Sequence, residues 1–211
     1  MTPTAEELPR VPSLRAGQTL LIAESGDLRR HAVDLRLLAA RSDPAEGAAF
    51  VTTETGSKAT LEAYESLDAE ESSAVLGVVD AVSHDQNLPA SYRETPVSHV
   101  AGPHDLARLS VAVGDLLGSS EREDRRRHLV VQSLTPLLET SDSDVVERFI
   151  RRTTHSAFVD GFSILRLDFT AHDERTLKRV RNLADVLLWV EESPDGALDF
   201  EVEQMSPSRT G

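Results

Sequence analysis

The chain alternates between short apolar segments and amphipathic segments, and this order limits the folds that it can adopt. Most of the apolar segments have the length of buried strands and are apolar on both faces. Strands of this kind are typical of parallel sheets that helices cover on each side. The five clearest are QTLLIAES (18–25), GAAFVTTE (47–54), AVLGVVDAV (74–82), HLVVQSL (128–134) and FSILRLDF (162–169).

The segments between these strands have the periodicity of helices, and the chain ends in a different pattern. The predicted helices are residues 27–42, 57–67, 103–119, 141–159 and 172–184. Residues 84–101 are polar and contain two prolines, which predicts a loop. The last strands, 185–192 and 197–205, flank SPDG, a typical hairpin turn. We therefore predict an α/β fold with a mostly parallel central sheet flanked by helices and a C-terminal β-hairpin.

One domain is enough to explain this pattern. The chain has 211 residues, enough for one good-sized domain, and it shows no internal repeat. We expect a flexible leader over residues 1–16, a single domain over 17–205 and a flexible tail over 206–211. The N-terminus does not have the pattern of a secretory signal, and no apolar run is long enough to cross a bilayer. These observations predict a soluble cytoplasmic protein without membrane insertion.

The charge of the chain is strongly negative. It carries 36 acidic and 22 basic side chains, for a net charge of -14, and Lys58 and Lys178 are its only lysines. Such a field disfavours binding to nucleic acids and to anionic membranes. An ordinary acidic cytosolic protein is one interpretation. Acids spread along the whole chain, with arginine in place of lysine, favour the other, which is adaptation to molar salt in a halophilic archaeon.

The sequence contains few signs of a metal site or of a catalytic centre. Cysteine is absent, which excludes disulfides and thiolate ligands, and the seven histidines are scattered without a helix-face pair. His172, Asp173 and Glu174 form a triplet that could be catalytic, but its place at a helix start favours capping. We therefore predict no metal and no cofactor.

The stretch ETGSKAT (54–60) superficially looks like a phosphate-binding loop. A P-loop needs the spacing G-x-x-x-x-G-K-[ST] between a strand and a helix. Here Gly56 and Lys58 are two positions apart, and no second glycine precedes the lysine. We interpret Lys58 as part of the first turn of the next helix, with Ser57 as its N-cap.

Three segments of the chain resemble, in this order, the RecA/KaiC superfamily of P-loop ATPases, especially the short KaiC-like proteins of halophilic archaea. LLIAES with HAVDLRLLAA is similar to the phosphate-loop strand and helix, and AAFVTTET is similar to the strand that ends in the catalytic glutamate. Residues 128–152 and 162–192 resemble the Walker B strand and the elements that follow it. The resemblance implies a RecA-like fold in which strand 18–25 lies between 162–169 and 185–192, with 128–134 beyond 162–169.

The resemblance also places residues of this chain at the positions of a nucleotide site. Arg30 stands at the position of the phosphate-loop lysine and His31 at that of the following Ser/Thr. Gln132 stands at the Walker B aspartate. Glu54 matches the first of the two catalytic glutamates, and Thr55 replaces the second. The vestigial positions are therefore Gly26, Arg30, His31, Glu54 and Gln132.

The phosphate loop has lost the residues that its chemistry needs. Gly26 is its only glycine, and Asp27, Leu28 and Arg29 stand where the family has glycines and small residues. Side chains there crowd the approach of backbone N–H groups to phosphates, and Asp27 adds a negative charge. His31 has no hydroxyl for magnesium.

This joint loss favours a non-catalytic RecA/KaiC-like protein, a pseudo-ATPase that acts as a regulatory or scaffolding partner. Relatives of this fold assemble edge to edge, so we expect a homo-oligomer or a protein partner, and no bound nucleotide. Two alternatives stay open. One is a divergent ATPase that uses Arg30 and Glu54, and the other is a nucleic-acid-associated regulator, which the net charge disfavours.

Overall fold

An eight-stranded sheet forms the centre of the computed structural model, which describes residue 8 and residues 11–67, 73–83, 95–118 and 125–205. Its strands are β1 (Thr19–Glu24), β2 (Gly47–Thr52), β3 (Ala74–Asp80), β4 (Val97–His99), β5 (Arg127–Val131), β6 (Ser163–Asp168), β7 (Val186–Glu192) and β8 (Leu198–Gln204). The order across the sheet is β4-β3-β2-β5-β6-β1-β7-β8. Neighbouring strands are parallel, except that β7 and β8 pair as an antiparallel hairpin.

Helices cover both faces of the sheet. They are α1 (Val33–Arg41), α2 (Ser57–Glu65), α3 (Leu106–Gly118), α4 (Thr135–Thr140), α5 (Ser143–Thr154) and α6 (Glu174–Arg181). Helices α1 and α2 pack in one apolar core, and residues of α3 to α6 pack in a second core on the other side. Successive residues of β1 therefore face different cores: Leu20 lies in the first and Leu21 in the second. This explains why the strands are apolar on both faces.

The structure confirms the predicted fold class and the central place of β1. Strand β1 pairs with β6 on one side, with Leu21 opposite Leu165, and with β7 on the other, with Leu21 opposite Leu187. Strand β5 lies beyond β6, with Val131 opposite Leu165. The terminal β7–β8 hairpin is present as predicted.

Two local predictions were wrong. The helix predicted from residue 27 begins only at Val33, because a 3-10 turn over Arg29–His31 ends at Ala32, whose φ is 44°. Buried Leu28 falls on the apolar side of the helical pattern, so the break was hidden in the sequence. Part of the loop predicted over residues 84–101 forms β4, and residues 84–94 lie outside the described part of the chain.

The start of α2 differs from its prediction as well. Gly56, and not Ser57, occupies the N-cap position. The N–H of Ser57 donates to Oδ2 of Asp80 at the end of β3, at 2.7 Å. A carboxylate from the neighbouring strand thus replaces a local cap, which no sequence pattern within the helix could indicate.

The predicted leader and tail are described only in part. Val11 is buried, and its carbonyl accepts a hydrogen bond from Nη2 of Arg41 at 2.8 Å. Residues 1–7, 9 and 10 of the leader and residues 206–211 of the tail lie outside the described residues.

Gly77 in β3 provides a test of the packing between β3, β4 and α3. A Cβ at this position would clash with the side chain of Leu116 and lie 2.7 Å from the carbonyl oxygen of Pro96. That carbonyl accepts the N–H of Val78, so it cannot move away without loss of the bond. We expect Gly77→Ala to lower the free energy of unfolding by about 1–3 kcal/mol, as measured by chemical denaturation.

Gly114 in α3 is the matched control, because a Cβ there meets no atom within 4 Å. Since alanine favours a helix over glycine, Gly114→Ala should raise the free energy of unfolding by up to about 1 kcal/mol. Equal effects of the two substitutions would contradict the packing of Gly77 against α3.

Candidate functional site

A cleft of about 400 Å³ lies where the parallel strands β1, β2, β5 and β6 end. Ligands of open parallel α/β sheets bind at this edge, beyond the carboxyl ends of the strands. The lining of the cleft is mainly acidic, since five carboxylates and two guanidinium groups face it. The carboxylates belong to Glu24, Asp27, Glu54, Glu139 and Asp168, and the guanidinium groups to Arg29 and Arg166.

Arg166 is the residue that connects the strand ends. It lies in β6 between apolar residues, and its side chain is only 6% exposed. Its Nη2 donates to Oε2 of Glu54 at 3.1 Å, and its Nε donates to the carbonyl of Gln132 after β5. Its Nη1 lies 3.9 Å from Oε2 of Glu24 at the end of β1. The buried positive charge of Arg166 thus lies close to polar groups at the ends of β1, β2 and β5.

Glu24 is a buried carboxyl group whose bonds are incomplete. The residue is 3% exposed, and its Oε1 has no hydrogen-bond partner among the described residues. Burial, together with the charges of Asp34, Glu54 and Asp168, raises the pKa of Glu24 to about 8 against the opposing effect of Arg166. At neutral pH this side chain is therefore mostly a neutral acid.

The loop after β1 begins at Gly26, whose positive φ of 73° suits glycine. Its N–H donates to Oδ1 of Asp168 at 3.1 Å. Asp27 follows, and its carboxylate accepts Nε of Arg29 at 2.7 Å and Nη2 at 2.6 Å. This bidentate bond with Arg29 lowers the pKa of Asp27 to about 2, so Asp27 stays negative.

Besides Gly26, three other residues of this loop donate their backbone N–H groups to acceptors within the protein. The N–H of Arg29 donates to Oδ1 of Asp27 at 3.2 Å. The N–H of His31 donates to the carbonyl of Leu28, and that of Ala32 to the carbonyl of Arg29, both at 3.0 Å. Amides used in this way do not form the ring of free donors that holds phosphates in a P-loop.

Arg30 and His31 lie in the loop but are not part of the cleft's lining. The exposed guanidinium of Arg30 bonds to the carboxylate of Glu192 at the end of β7. His31 is half-buried, and its Nε2 has no partner among the described residues. Burial, and next the charge of Arg30, lower the pKa of His31.

Glu54 and Gln132 take different places around the same strand ends. Glu54 lines the cleft, and its carboxylate accepts hydrogen bonds from Oγ of Ser133, at 2.8 Å, and from Arg166. Gln132 is buried, and its Oε1 accepts the hydroxyls of Thr60 at 2.8 Å and Thr55 at 3.1 Å. Of the five predicted positions, Gly26 and Glu54 line the cleft, and the other three do not.

Sequence reasoning missed three residues that dominate the cleft. Arg166 is the only charged side chain within the apolar part of SILRLD, and that exception was a usable signal. Glu24 and Asp168 each end a strand that is otherwise apolar or buried. Charged residues at the ends of adjacent parallel strands meet at one edge, so the predicted strand order would have brought them together.

The other candidates noted in the sequence have structural roles or lie elsewhere. Asp173 is the N-cap of α6, and its carboxylate accepts the N–H of Thr176 at 2.7 Å. Within the described ranges, no group of three or more His, Asp and Glu side chains is arranged to hold a metal ion. Across the same ranges, no helix combines the length and the apolarity needed to span a membrane.

The raised pKa of Glu24 predicts how stability depends on pH. The folded state holds the proton up to about pH 8, whereas an unfolded glutamate loses it near its ordinary pKa of 4.5. This contribution to stability is complete below the unfolded pKa and is lost as the pH rises to the folded pKa. We expect the free energy of unfolding to fall between these values, on the order of 1 kcal/mol per pH unit.

Glu24→Gln is the control, because it keeps the shape and cannot ionise. The difference between the two proteins in denaturation experiments isolates Glu24 from the other acids, including Asp34, Glu54 and Asp168 around it. The variant should gain stability relative to the wild type as the pH rises. Parallel curves from about pH 5 to 8 would show that Glu24 ionises normally.

Comparison with solved structures finds a similar fold in two archaeal proteins. The structure is similar to the uncharacterized protein PH0321 from Pyrococcus horikoshii, crystallised in complex with an unknown peptide, with a TM-score of 0.62 and 14% identity over 92% of this chain and 85% of that one. It is also similar to the flagellar accessory protein FlaH from Methanocaldococcus jannaschii, with a TM-score of 0.52 and 13% identity over 92% and 80%. At such identities the likeness concerns the fold alone, and it agrees with the RecA-like fold that the sequence implies.

Comparison at the level of sequence gives a family but no activity. None of the proteins with curated descriptions matches this chain. Residues 17–190, which include every strand from β1 to β6 and most of β7, match the Family of unknown function (DUF7504), and the chain belongs to this family.

Proposed function

We propose that this chain is a non-catalytic RecA/KaiC-like protein that acts as a regulatory or scaffolding partner. The observation that carries the proposal is the state of the loop after β1. The N–H groups of Gly26, Arg29, His31 and Ala32 all donate to acceptors of the protein itself. A nucleotide would have to break these bonds before its phosphates could be held.

The charges of the cleft support the same proposal. Asp27 stays ionised, and its bond to Arg29 uses the one guanidinium of the loop that lines the cleft. Arg166 is committed to Glu54. Even with Glu24 neutral, four other acidic side chains face two guanidinium groups, so the cleft disfavours a polyphosphate that brings three or four negative charges.

The alternative of a divergent ATPase needs Arg30 and Glu54 to act on one phosphate group. Arg30 is instead bonded to Glu192, and Glu54 is held by Ser133 and Arg166. At the Walker B position, the amide of Gln132 is engaged with two threonine hydroxyls. These contacts favour the non-catalytic function, and the net charge of -14 disfavours a nucleic-acid-associated one.

The setting and the partners are part of the proposal. The similar protein PH0321 was crystallised with a peptide, which adds support for protein binding as the role of this fold here. We propose a protein partner or a second copy of the chain, in the cytoplasm of a halophilic archaeon. The basis for the host is the composition, in which acids outnumber bases by 36 to 22.

We expect calorimetric titration with Mg-ATP or Mg-ADP in molar KCl to give no saturable binding tighter than roughly 100 μM. Several charge-assisted contacts are missing, each worth on the order of 1.5–3 kcal/mol, which turns micromolar affinity into millimolar or none. Saturable binding of the wild type below that limit would instead support the divergent ATPase.

Two variants test whether the charge or the shape of the loop prevents nucleotide binding. Asp27→Asn removes the negative charge of the loop and frees Arg29, and Arg30→Lys restores the lysine of a P-loop. We expect neither variant to bind, because the loop amides stay bonded within the protein. Binding by Asp27→Asn alone would show that charge, and not the shape of the loop, excludes the nucleotide.

The halophilic setting predicts that the fold depends on salt. Thirty-six acids repel one another in dilute buffer, and salt screens this repulsion. The thermal melting temperature should therefore rise from low to molar KCl. Sucrose serves as the uncharged control, since it stabilises folded proteins without screening. A melting temperature that does not change with KCl would remove the halophilic interpretation.

A further inference from the structure

We propose that the cleft between β1, β2, β5 and β6 binds a single organic cation, a guanidinium or ammonium group, and that its source is an arginine side chain of a protein partner. This inference rests on the proposed function, since it needs a cleft without nucleotide. The proposed ligand is positively charged, whereas a P-loop protein holds negatively charged phosphates at this edge of the sheet.

The first argument is that the cleft contains acidic side chains beyond those that pair with its two arginines. Arg29 is bonded to Asp27, and Arg166 to Glu54. Glu139 and Asp168 line the same cleft, and neither forms an ion pair within the described residues. The nearby His172 does not compensate for them, because burial lowers its pKa and leaves it neutral at pH 7.

The second argument is independent of the surface acids. Glu24 lines the cleft with a side chain that is only 4% exposed, and its Oε1 has no hydrogen-bond partner in the part of the chain that the structure describes. Buried polar atoms without a partner are rare in folded proteins, and each needs an explanation. Arg166, at 3.9 Å, is too distant for a hydrogen bond to Glu24 and is already shared with Glu54 and Gln132. A second cation in the cleft would provide the missing interaction.

The third argument concerns the kind of cation. A guanidinium group carries five N–H donors and no acceptor, so it needs oxygens around it. The cleft offers the carboxylate of Glu139 and Oδ2 of Asp168, whose Oδ1 already accepts bonds from Gly26 and Thr170. The hydroxyl of Thr135 lies beside Asp168 and accepts its N–H at 3.1 Å. A volume of about 400 Å³ suits the end of a side chain, and the described residues hold no cluster fit for a metal ion.

Binding of a cation should be coupled to the ionisation of Glu24. The charged groups that face Glu24 are Arg166, Asp34, Glu54 and Asp168. An added positive charge favours the ionised form of Glu24, so the ligand lowers its pKa from about 8 and a proton leaves on binding. By linkage, the affinity rises as the pH increases toward the pKa of the free protein.

The test uses a short N-acetylated, C-amidated peptide with one arginine, titrated calorimetrically into the full chain at the lowest KCl concentration that keeps it folded. The control peptide carries citrulline, which has the shape of arginine without its charge. We expect saturable binding of the arginine peptide and at least tenfold weaker binding of the citrulline peptide. Equal affinities of the two peptides would overturn the proposal.

The variants place the binding in the cleft. Glu139→Gln removes an exposed carboxylate that lines the cleft, and we expect it to weaken binding by about five- to tenfold. Asp115→Asn removes an exposed carboxylate from α3, outside the cleft, and should leave the affinity unchanged. Equal effects of the two substitutions would mean that the peptide binds only the general negative field, which overturns the site.

Glu24→Gln tests whether cation binding is coupled to the ionisation of Glu24. Because Glu24 is mostly neutral at neutral pH, the substitution changes the charge of the cleft little there. The wild type should gain several-fold in affinity between about pH 6 and pH 9, and the variant should show a flat profile. The same pH dependence in both proteins would exclude Glu24 from the site. Melting curves at each pH show that both proteins remain folded.

Spermidine distinguishes the source of the cation. Weaker binding of spermidine than of the arginine peptide supports a protein partner. Tighter binding of spermidine, with the same loss in Glu139→Gln, overturns the protein source and assigns the cleft to a free polyamine. If neither cation nor Mg-ATP binds, the cation proposal fails and the non-catalytic function stands. If Mg-ATP binds, the proposed function itself fails.

Discussion

The buried guanidinium of Arg166 is the interaction on which this edge of the sheet depends. It reaches the carbonyl of Gln132 and the carboxylate of Glu54, and it lies beside Glu24. A charge that is almost fully buried is tolerated only when it is paired, and removal of one partner leaves a costly unpaired charge. The ends of β1, β2, β5 and β6 are therefore held in one arrangement by a contact that a phosphate ligand could only weaken.

The loop after β1 is shaped by the same edge. Asp168 ends β6 two residues after Arg166, and it accepts the N–H of Gly26, the first residue of the loop with a positive φ. This bond directs the loop toward β6, and the pair of Asp27 with Arg29 closes it. A loop whose N–H groups bond within the protein is stable without a ligand. In a P-loop, by contrast, the N–H groups are free to bind an anion.

Much of the fold followed from the sequence, and less of the site did. The place of β1 between β6 and β7 was predicted from the resemblance of three segments to the RecA/KaiC superfamily, whereas the apolar strands by themselves predicted only a mostly parallel sheet. The break at Ala32 was not, since an alanine with a φ of 44° has no sequence signal and the apolar pattern continues across it. The role of Arg166 was missed because its partners, Glu54 and Gln132, are 112 and 34 positions away in the chain. Contacts between residues so far apart in the sequence can be predicted only by combining the strand order with the positions of charged residues at the strand ends.

The sign of the charge in the cleft connects the two proposals, the absence of nucleotide binding and the binding of a cation. Asp27 disfavours an anion in the cleft in two ways, since its own charge repels phosphate and its bond to Arg29 neutralises that guanidinium. The same cleft keeps Glu139 and Asp168 without a counter-ion among the described residues, and it keeps Glu24 protonated by burial. Acidic side chains concentrated in one cleft need a counter-charge, because each added acid raises the electrostatic cost of ionising its neighbours. A cationic partner explains why these acids are found together at the strand ends.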